Sequence, residues 1–183
     1  EGEQIAFCSD AGMPGISDPG SVLVDAARDA SVPVDVLPGP SAVITALVSS
    51  GFKHNAFYFG GFLPRKEAER AALLDSLAIL DAALVFYESP HRVAASAASI
   101  AQAYGARPVA LCRELTKLHE EVLRLPADEL ATNLAARDAI KGEIVLVIAP
   151  PDVRVQQEAS LDDPALRERI AAELAAGTPK SAL

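Results

Sequence analysis

Two kinds of residue cluster in this chain could do chemistry, and both fall where apolar runs end. The first is Ser9 to Gly20, Ser-Asp-Ala-Gly-Met-Pro-Gly-Ile-Ser-Asp-Pro-Gly. Its glycines let the backbone approach a ligand closely, and Asp10 can accept hydrogen bonds from an amine or a ribose hydroxyl. An ordinary tight crossover would use similar residue types, but the length of the string favours a ligand loop. Pro38-Gly39-Pro40-Ser41 is its companion. It leads into a helix whose first amides, near Ser41 and Ala42, would face the same crevice, although two prolines that simply start a helix would look alike. The second kind is charged. Phe86-Tyr87-Glu88-Ser89-Pro90-His91-Arg92 leaves Glu88 at a strand tip, Ser89 as helix N-cap and Pro90 at N1. Arg92 then sits in the first helical turn, where a cation opposes the macrodipole, so either a neighbouring acid compensates or the residue binds an anion. Arg113, Glu114, Lys117, Glu120 and Glu121 crowd a segment between strands, as catalytic groups or as a solvated surface. Lys141-Gly142-Glu143 opens the last strand, where a plain hairpin turn accounts for it.

The elements that must position these groups alternate along the chain. Apolar periodicity predicts strand 4–8, helix 20–30 with Asp18 as N-cap and Pro19 at N1, strand 34–37, and helix 41–50 closed by Gly51. After Lys53-His54-Asn55 come strand 56–62, helix 66–80, strand 83–88, helix 90–104, strands 108–114 and 120–125, helix 127–138 and strand 143–149. Leu73, Leu74, Leu77 and Leu80 form one apolar stripe on the helix after Arg65. Pro150 and Pro151 end the pattern, and Leu161 to Ala176 reads as a detached Ala-rich helix. The expected class is α/β, with residues 1–52 as the later part of one α/β domain, 53–151 as a second, and 152–183 as a linker and the start of a helical tail. Two parallel strands cannot make a doubly wound sheet, so further strands are expected before Glu1. In such sheets ligands bind at the carboxyl ends of the strands, where the Ser9 loop would lie.

Composition bounds the function. A chain of 183 residues, 50% apolar and 22% charged, is large enough for one sizeable domain or two small ones. Charges break every apolar stretch within roughly ten residues, too short for a bilayer span, and no signal-peptide pattern opens the chain, so a cytoplasmic protein without membrane contact is expected. Cys8 and Cys112 both fall in predicted strands as small hydrophobes, and His54, His91 and His119 lack metal-ligand spacing, so no metal is expected. A net charge of −9 opposes a non-specific grip on nucleic acid. Any RNA contact must use a local basic patch.

Six ordered strings give a more specific reading: the Ser9 to Gly20 loop, Leu-Pro-Gly-Pro-Ser-Ala from Leu37, Gly-Phe-Leu-Pro-Arg-Lys from Gly61, Phe-Tyr-Glu-Ser-Pro-His-Arg from Phe86, Arg-Glu-Leu-Thr-Lys-Leu-His-Glu-Glu from Arg113, and Lys-Gly-Glu from Lys141. Together they resemble the RsmI family, small-subunit ribosomal RNA 2′-O-methyltransferases of the tetrapyrrole methylase superfamily. The resemblance implies two α/β domains with S-adenosylmethionine in the cleft between them, usually in a homodimer. It also implies methylation of the ribose 2′-hydroxyl of a cytidine in the 16S rRNA decoding centre, with the small ribosomal subunit or its RNA as partner. Carried over residue by residue, Ser9, Asp10, Ala11, Gly12, Pro14, Gly15, Ile16, Ser41 and Ala42 would line the cofactor pocket, with Tyr87 and Glu88 approaching from the second domain. The family's earlier glycine-containing loop has no counterpart here, and its helical tail continues past Gly177-Thr178-Pro179-Lys180. On that ground these 183 residues alone are expected to be inactive. Met13 stands where the family usually has Thr, and Leu125 where a Gly generally follows Arg124.

The chemistry so implied is attack of a ribose oxygen on a sulfonium methyl, which needs no metal and no protein nucleophile, so positioning is the main task. A ribose hydroxyl is a poor nucleophile, and a nearby base or cation would help. Glu88, Glu114 and Lys117 are the candidates, with Arg92 as a phosphate clamp. Methylation of a tetrapyrrole by the same scaffold, or RNA binding without turnover, are the alternatives.

Overall fold

The computed structural model describes residues 2–9, 12–17 and 20–152, with Glu168 and Ala172. Among the described residues ten elements follow in order: α1 (Ser21–Asp29), α2 (Ala42–Ser50), β1 (Phe57–Phe62), α3 (Glu67–Leu77), β2 (Ala83–Glu88), α4 (Val93–Tyr104), β3 (Pro108–Arg113), β4 (Glu121–Pro126), α5 (Ala127–Ala135) and β5 (Ile144–Ile148). Five strands form one sheet in the order β1-β2-β5-β3-β4. β1 pairs with β2 in parallel; the β2–β5, β5–β3 and β3–β4 pairs are antiparallel.

Sequence pattern explains the order. β5, Ile-Val-Leu-Val-Ile, is buried at every position, as a central strand covered on both faces must be. β4, Glu-Val-Leu-Arg-Leu-Pro, alternates and lies at an edge, where its terminal Pro126 costs no ladder bond. β1 forms the other edge, with a register shift between Phe59 and Phe62 at Gly60-Gly61. Alternation sends Leu84, Phe86, Val109, Leu111, Leu146 and Ile148 to one face, against α3, α4 and α5. Ala83, Val85, Ala110, Cys112, Val145 and Val147 go to the other, against Val43, Ala46 and Leu47 of α2. Helix α2 ends at Gly51, whose φ of 64° takes the left-handed cap. In α4 the small residues admit close packing, and the Tyr104 hydroxyl donates to Leu74 O at 2.6 Å, joining α4 to α3.

Several expectations change. Residues 4–8 and 34–37 are not strands: a strand exists through its ladder, neither run has a ladder partner among the described residues, and Ile5 and Leu37 are exposed. Cys8 accordingly is exposed rather than a core residue, whereas Cys112 is buried and its thiol is pushed up to about 12 by desolvation. Helix α1 starts at Ser21 with Gly20 as N-cap; Asp18 and Pro19, the expected N-cap and N1 residues, lie outside the described residues. Helix α3 ends at Leu77, which leaves Leu80 of the apolar stripe outside it. The helix expected over Leu161 to Ala176 lies outside the described residues except Glu168 and Ala172. Among the described residues no helix is long and apolar enough to cross a membrane.

Candidate functional site

β1, β2 and β3 run in the same direction, so their carboxyl ends share one end of the sheet. Ile144 pairs with Glu88 on one side and Arg113 on the other, and Arg113 pairs with Glu121. The charged strings therefore meet in one row across the sheet.

Glu88 points to the α4 face, and its side chain is 0% exposed. Arg92 Nη2 donates to its Oε1 at 2.5 Å, the Ser89 N–H to the same oxygen at 2.7 Å, and Ser96 Oγ to Oε2 at 2.5 Å. Glu88 is the acid that compensates Arg92 at the start of α4. Arg92 also reaches Leu63 O at 3.4 Å, tying β1's exit to β2's. Ser89 is not the N-cap residue expected: Arg92 holds that position, while Ser89 O accepts the N–H groups of Arg92 and Val93 at 3.1 and 3.0 Å in the turn before the helix.

Beyond β3, Glu114 and Thr116 take φ of 50° and 65°, left-handed conformations that a side chain adopts only when surroundings enforce them. The enforcement is visible. Glu114 N–H donates to Glu143 O at 2.9 Å, Glu143 N–H returns to Glu114 Oε1 at 2.8 Å, and Lys117 Nζ bridges Glu114 and Glu143 at 3.0 and 3.1 Å. Gly142, with φ of 93°, lies under the Glu114 side chain, where a Cβ would sit 2.4 Å from Glu114 Cγ. Lys141-Gly142-Glu143 is thus no hairpin: it links α5 to β5 and seats Glu114. The Glu143 N–H, then Lys117, lower the Glu114 pKa, and bonds to Glu114 and Glu143 raise that of Lys117. Both stay charged near neutrality. Next to them Glu121 accepts from Arg137 at 2.7 Å and Arg113 at 2.8 Å, and chiefly through Arg137 is pulled down to about 2.

The Ser9 loop meets the Pro38–Ser41 turn. Met13 N–H donates to Pro40 O at 2.9 Å, and Ser9 Oγ to Gly12 O at 3.3 Å. Gly12 has φ of 76°, and a Cβ there would lie 2.7 Å from Pro40 O, so only glycine permits this approach. Gly15 at 82° and Ser17 at 58° keep turning the loop, until Ser17 Oγ stands 3.7 Å from where a Gly61 Cβ would be. Ser41 caps α2 with its backbone, its carbonyl accepting Thr45 N–H at 2.9 Å. Tyr87 lies on the α2 face, edge-on to Phe59 and Phe62 at 5.0 and 5.6 Å. The structure therefore brings Ser9 and Gly12 against Pro40, next to Ser41 and Ala42, with Pro14, Gly15 and Ile16 following in the same loop, and parts Tyr87 from Glu88 on opposite faces of β2. Asp10 and Ala11 lie outside the described residues.

One feature escaped the sequence reading. Residues 62–65 form one wall, and Ser89, His91 and Arg92 the other, of a groove of about 680 Å³. Its signal was present in two strings that close adjacent parallel strands. Among the described residues no cluster of three or more His, Cys, Asp or Glu could hold a metal.

Comparison with known proteins points the same way as the motifs. The family profile described as Tetrapyrrole (Corrin/Porphyrin) Methylases matches residues 1–131. Proteins named ribosomal RNA small subunit methyltransferase I are similar over most of the chain. That of Mycobacterium tuberculosis is 53% identical over 149 residues, 81% of this chain and 52% of its own. That of Micromonospora olivasterospora is 44% identical over 162 residues, 88% of this chain and 52% of its own. That of Mesorhizobium japonicum is 43% identical over 181 residues, 98% and 60%. The chain thus spans about half the length of the curated relatives it matches. Among solved structures, the methyltransferase CobJ superposes with a TM-score of 0.57 at 18% identity, over 76% of this chain and 62% of that one. The uroporphyrin-III C-methyltransferase of Thermus thermophilus, complexed with S-adenosyl homocysteine, gives 0.51 at 18%, over 79% and 64%. These two share the fold.

Proposed function

The chain belongs to the tetrapyrrole methylase family, and from that premise we propose that it forms part of an S-adenosylmethionine-dependent enzyme that methylates the ribose 2′-hydroxyl of a cytidine in small-subunit ribosomal RNA. The 53% identity to a protein named ribosomal RNA small subunit methyltransferase I carries the choice of RNA over a tetrapyrrole. The left-handed backbone at Gly12, against Pro40 just before the amino end of α2, leaves the loop's backbone groups open to a ligand rich in hydroxyl, amine and carboxylate groups. Ser9, Gly12, Pro14, Gly15, Ile16, Ser41 and Ala42 would hold S-adenosylmethionine, with Asp10 and Ala11 from the same string and Tyr87 from β2. When bound, that cofactor supplies an electrophilic methyl group. Lys117, kept cationic, would then orient a ribose hydroxyl and stabilise the negative charge that develops on its oxygen, while Glu114, kept ionised, would accept its proton. Glu88 acts through Arg92 and Ser96, as a positioning residue for the turn that Arg92 occupies. The working form is a cytoplasmic homodimer, to be checked by sedimentation. The activity test offers labelled S-adenosylmethionine with small-subunit rRNA or a precorrin as acceptor: label in RNA alone is expected, and label in the precorrin alone would replace this reading with the tetrapyrrole one.

A further inference from the structure

We propose that the groove between the β1 and β2 tips binds single-stranded RNA, with an unstacked base on Phe62 and backbone phosphates on Arg65, His91 and Arg92. This rests on the reading of the protein as an RNA-acting enzyme and adds where the RNA strand lies. The groove holds about 680 Å³, and among the described residues no carboxylate lines it. Glu88 already neutralises Arg92 and holds it in place, so Arg92 is a fixed donor fork. Arg65 and His91 are exposed, and their side chains have no hydrogen bond or ion pair among the described residues. Both supply unspent donors, and Arg65 supplies the charge. Phe62 is 54% exposed at the end of an edge strand, braced edge-on by Tyr87 at 5.6 Å. Pro64 and Pro90 stiffen both walls. An exposed ring beside guanidinium groups is the arrangement that stacks a base and tracks a backbone, and it selects single strands because duplex bases offer no free face. On a chain of net charge −9, a cationic groove is the place where a polyanion can approach.

Fluorescence anisotropy with a labelled twelve-nucleotide single-stranded RNA, and with the same sequence as a duplex, tests this on the full chain. Phe62→Ala is expected to weaken single-strand binding by at least about fivefold. Arg65→Ala, or Arg65→Glu where a larger effect is needed, should lower the slope of log affinity against log salt by about 0.7. Lys53→Ala, outside the groove, should change neither. All three positions are exposed, so folding is not at stake. Unchanged affinity and slope in Phe62→Ala and Arg65→Glu, or equal affinity for duplex, overturns the proposal. Titration of the same variants with S-adenosylhomocysteine, made in the full-length protein, keeps the two readings apart: absent binding in the full-length parent would count against the cofactor site alone, and groove variants should bind it as the parent does.

Discussion

Replacing Glu88 separates a residue that holds the fold from one that performs a reaction. Its carboxylate is fully buried and accepts from Arg92, the Ser89 amide and the Ser96 hydroxyl. Glu88→Ala removes the acceptor of all three hydrogen bonds at once. Breaking one partner from a buried ion pair costs about 3–5 kcal/mol, because the charge left behind is uncompensated. Arg92 is 26% exposed and can turn partly to water, which places the loss at the lower end, about 3 kcal/mol. Ser96 is 1% exposed and has no such escape. For a domain of this size the midpoint of thermal unfolding should fall by roughly 6–12 °C. Urea unfolding followed by circular dichroism measures the difference, and a double-mutant cycle with Arg92→Ala should return a coupling of about 1–3 kcal/mol. Glu88→Gln should fall between, since its amide sets a donor against donors. A Glu88→Ala protein within about 0.5 kcal/mol of the parent would refute the reasoning. Were methyl transfer lost with stability intact, Glu88 would return to the reaction itself.

In the full-length protein Gly12→Val should abolish S-adenosylhomocysteine binding in calorimetry with helical content nearly unchanged, because its Cβ would stand 2.7 Å from Pro40 O and its φ of 76° disfavours any side chain; unchanged affinity would dismiss the loop as the cofactor site. Acid titration should show stability lost as pH falls from about 4.5 towards about 2, since Glu121 is pulled below its ordinary value by Arg137 and Arg113: its contribution, at most on the order of 3 kcal/mol, is complete above the unfolded value and gone below the folded one. Arg137→Ala should flatten that dependence, and an unaltered acid limb would contradict it. Leu146→Ala, at the fully buried centre of β5, should cost about 2–5 kcal/mol in urea unfolding; a loss under 1 kcal/mol would mean the sheet is not the core.

The sheet was largely legible before any coordinates, because burial writes itself into pattern. The unbroken apolar run of β5 marks a strand covered on both faces, and the alternation of β4 marks an edge. What failed was whatever depends on a partner. Residues 4–8 and 34–37 have strand composition and no ladder partner among the described residues, so pattern alone misled. Helix α2 announced itself as apolar, but nothing local said that it would pack on Ala83, Val85 and Val147. Period-two alternation alone places Tyr87 and Glu88 on opposite faces of one strand, although both belong to one string. Arg92's compensation lay four residues away, yet Ser96 became visible as a third member only once β2 and α4 were side by side. The groove needed a still longer step, the adjacency of β1 and β2, which brings Arg65 and His91 onto facing walls.

The most direct test of the central claim is a nucleotide-resolution map of ribose methylation in small-subunit rRNA, from cells with the gene that encodes this chain and from cells without it. Loss of the 2′-O-methyl group at a single cytidine, restored by the gene, is the predicted result. Identical maps from the two strains would contradict it.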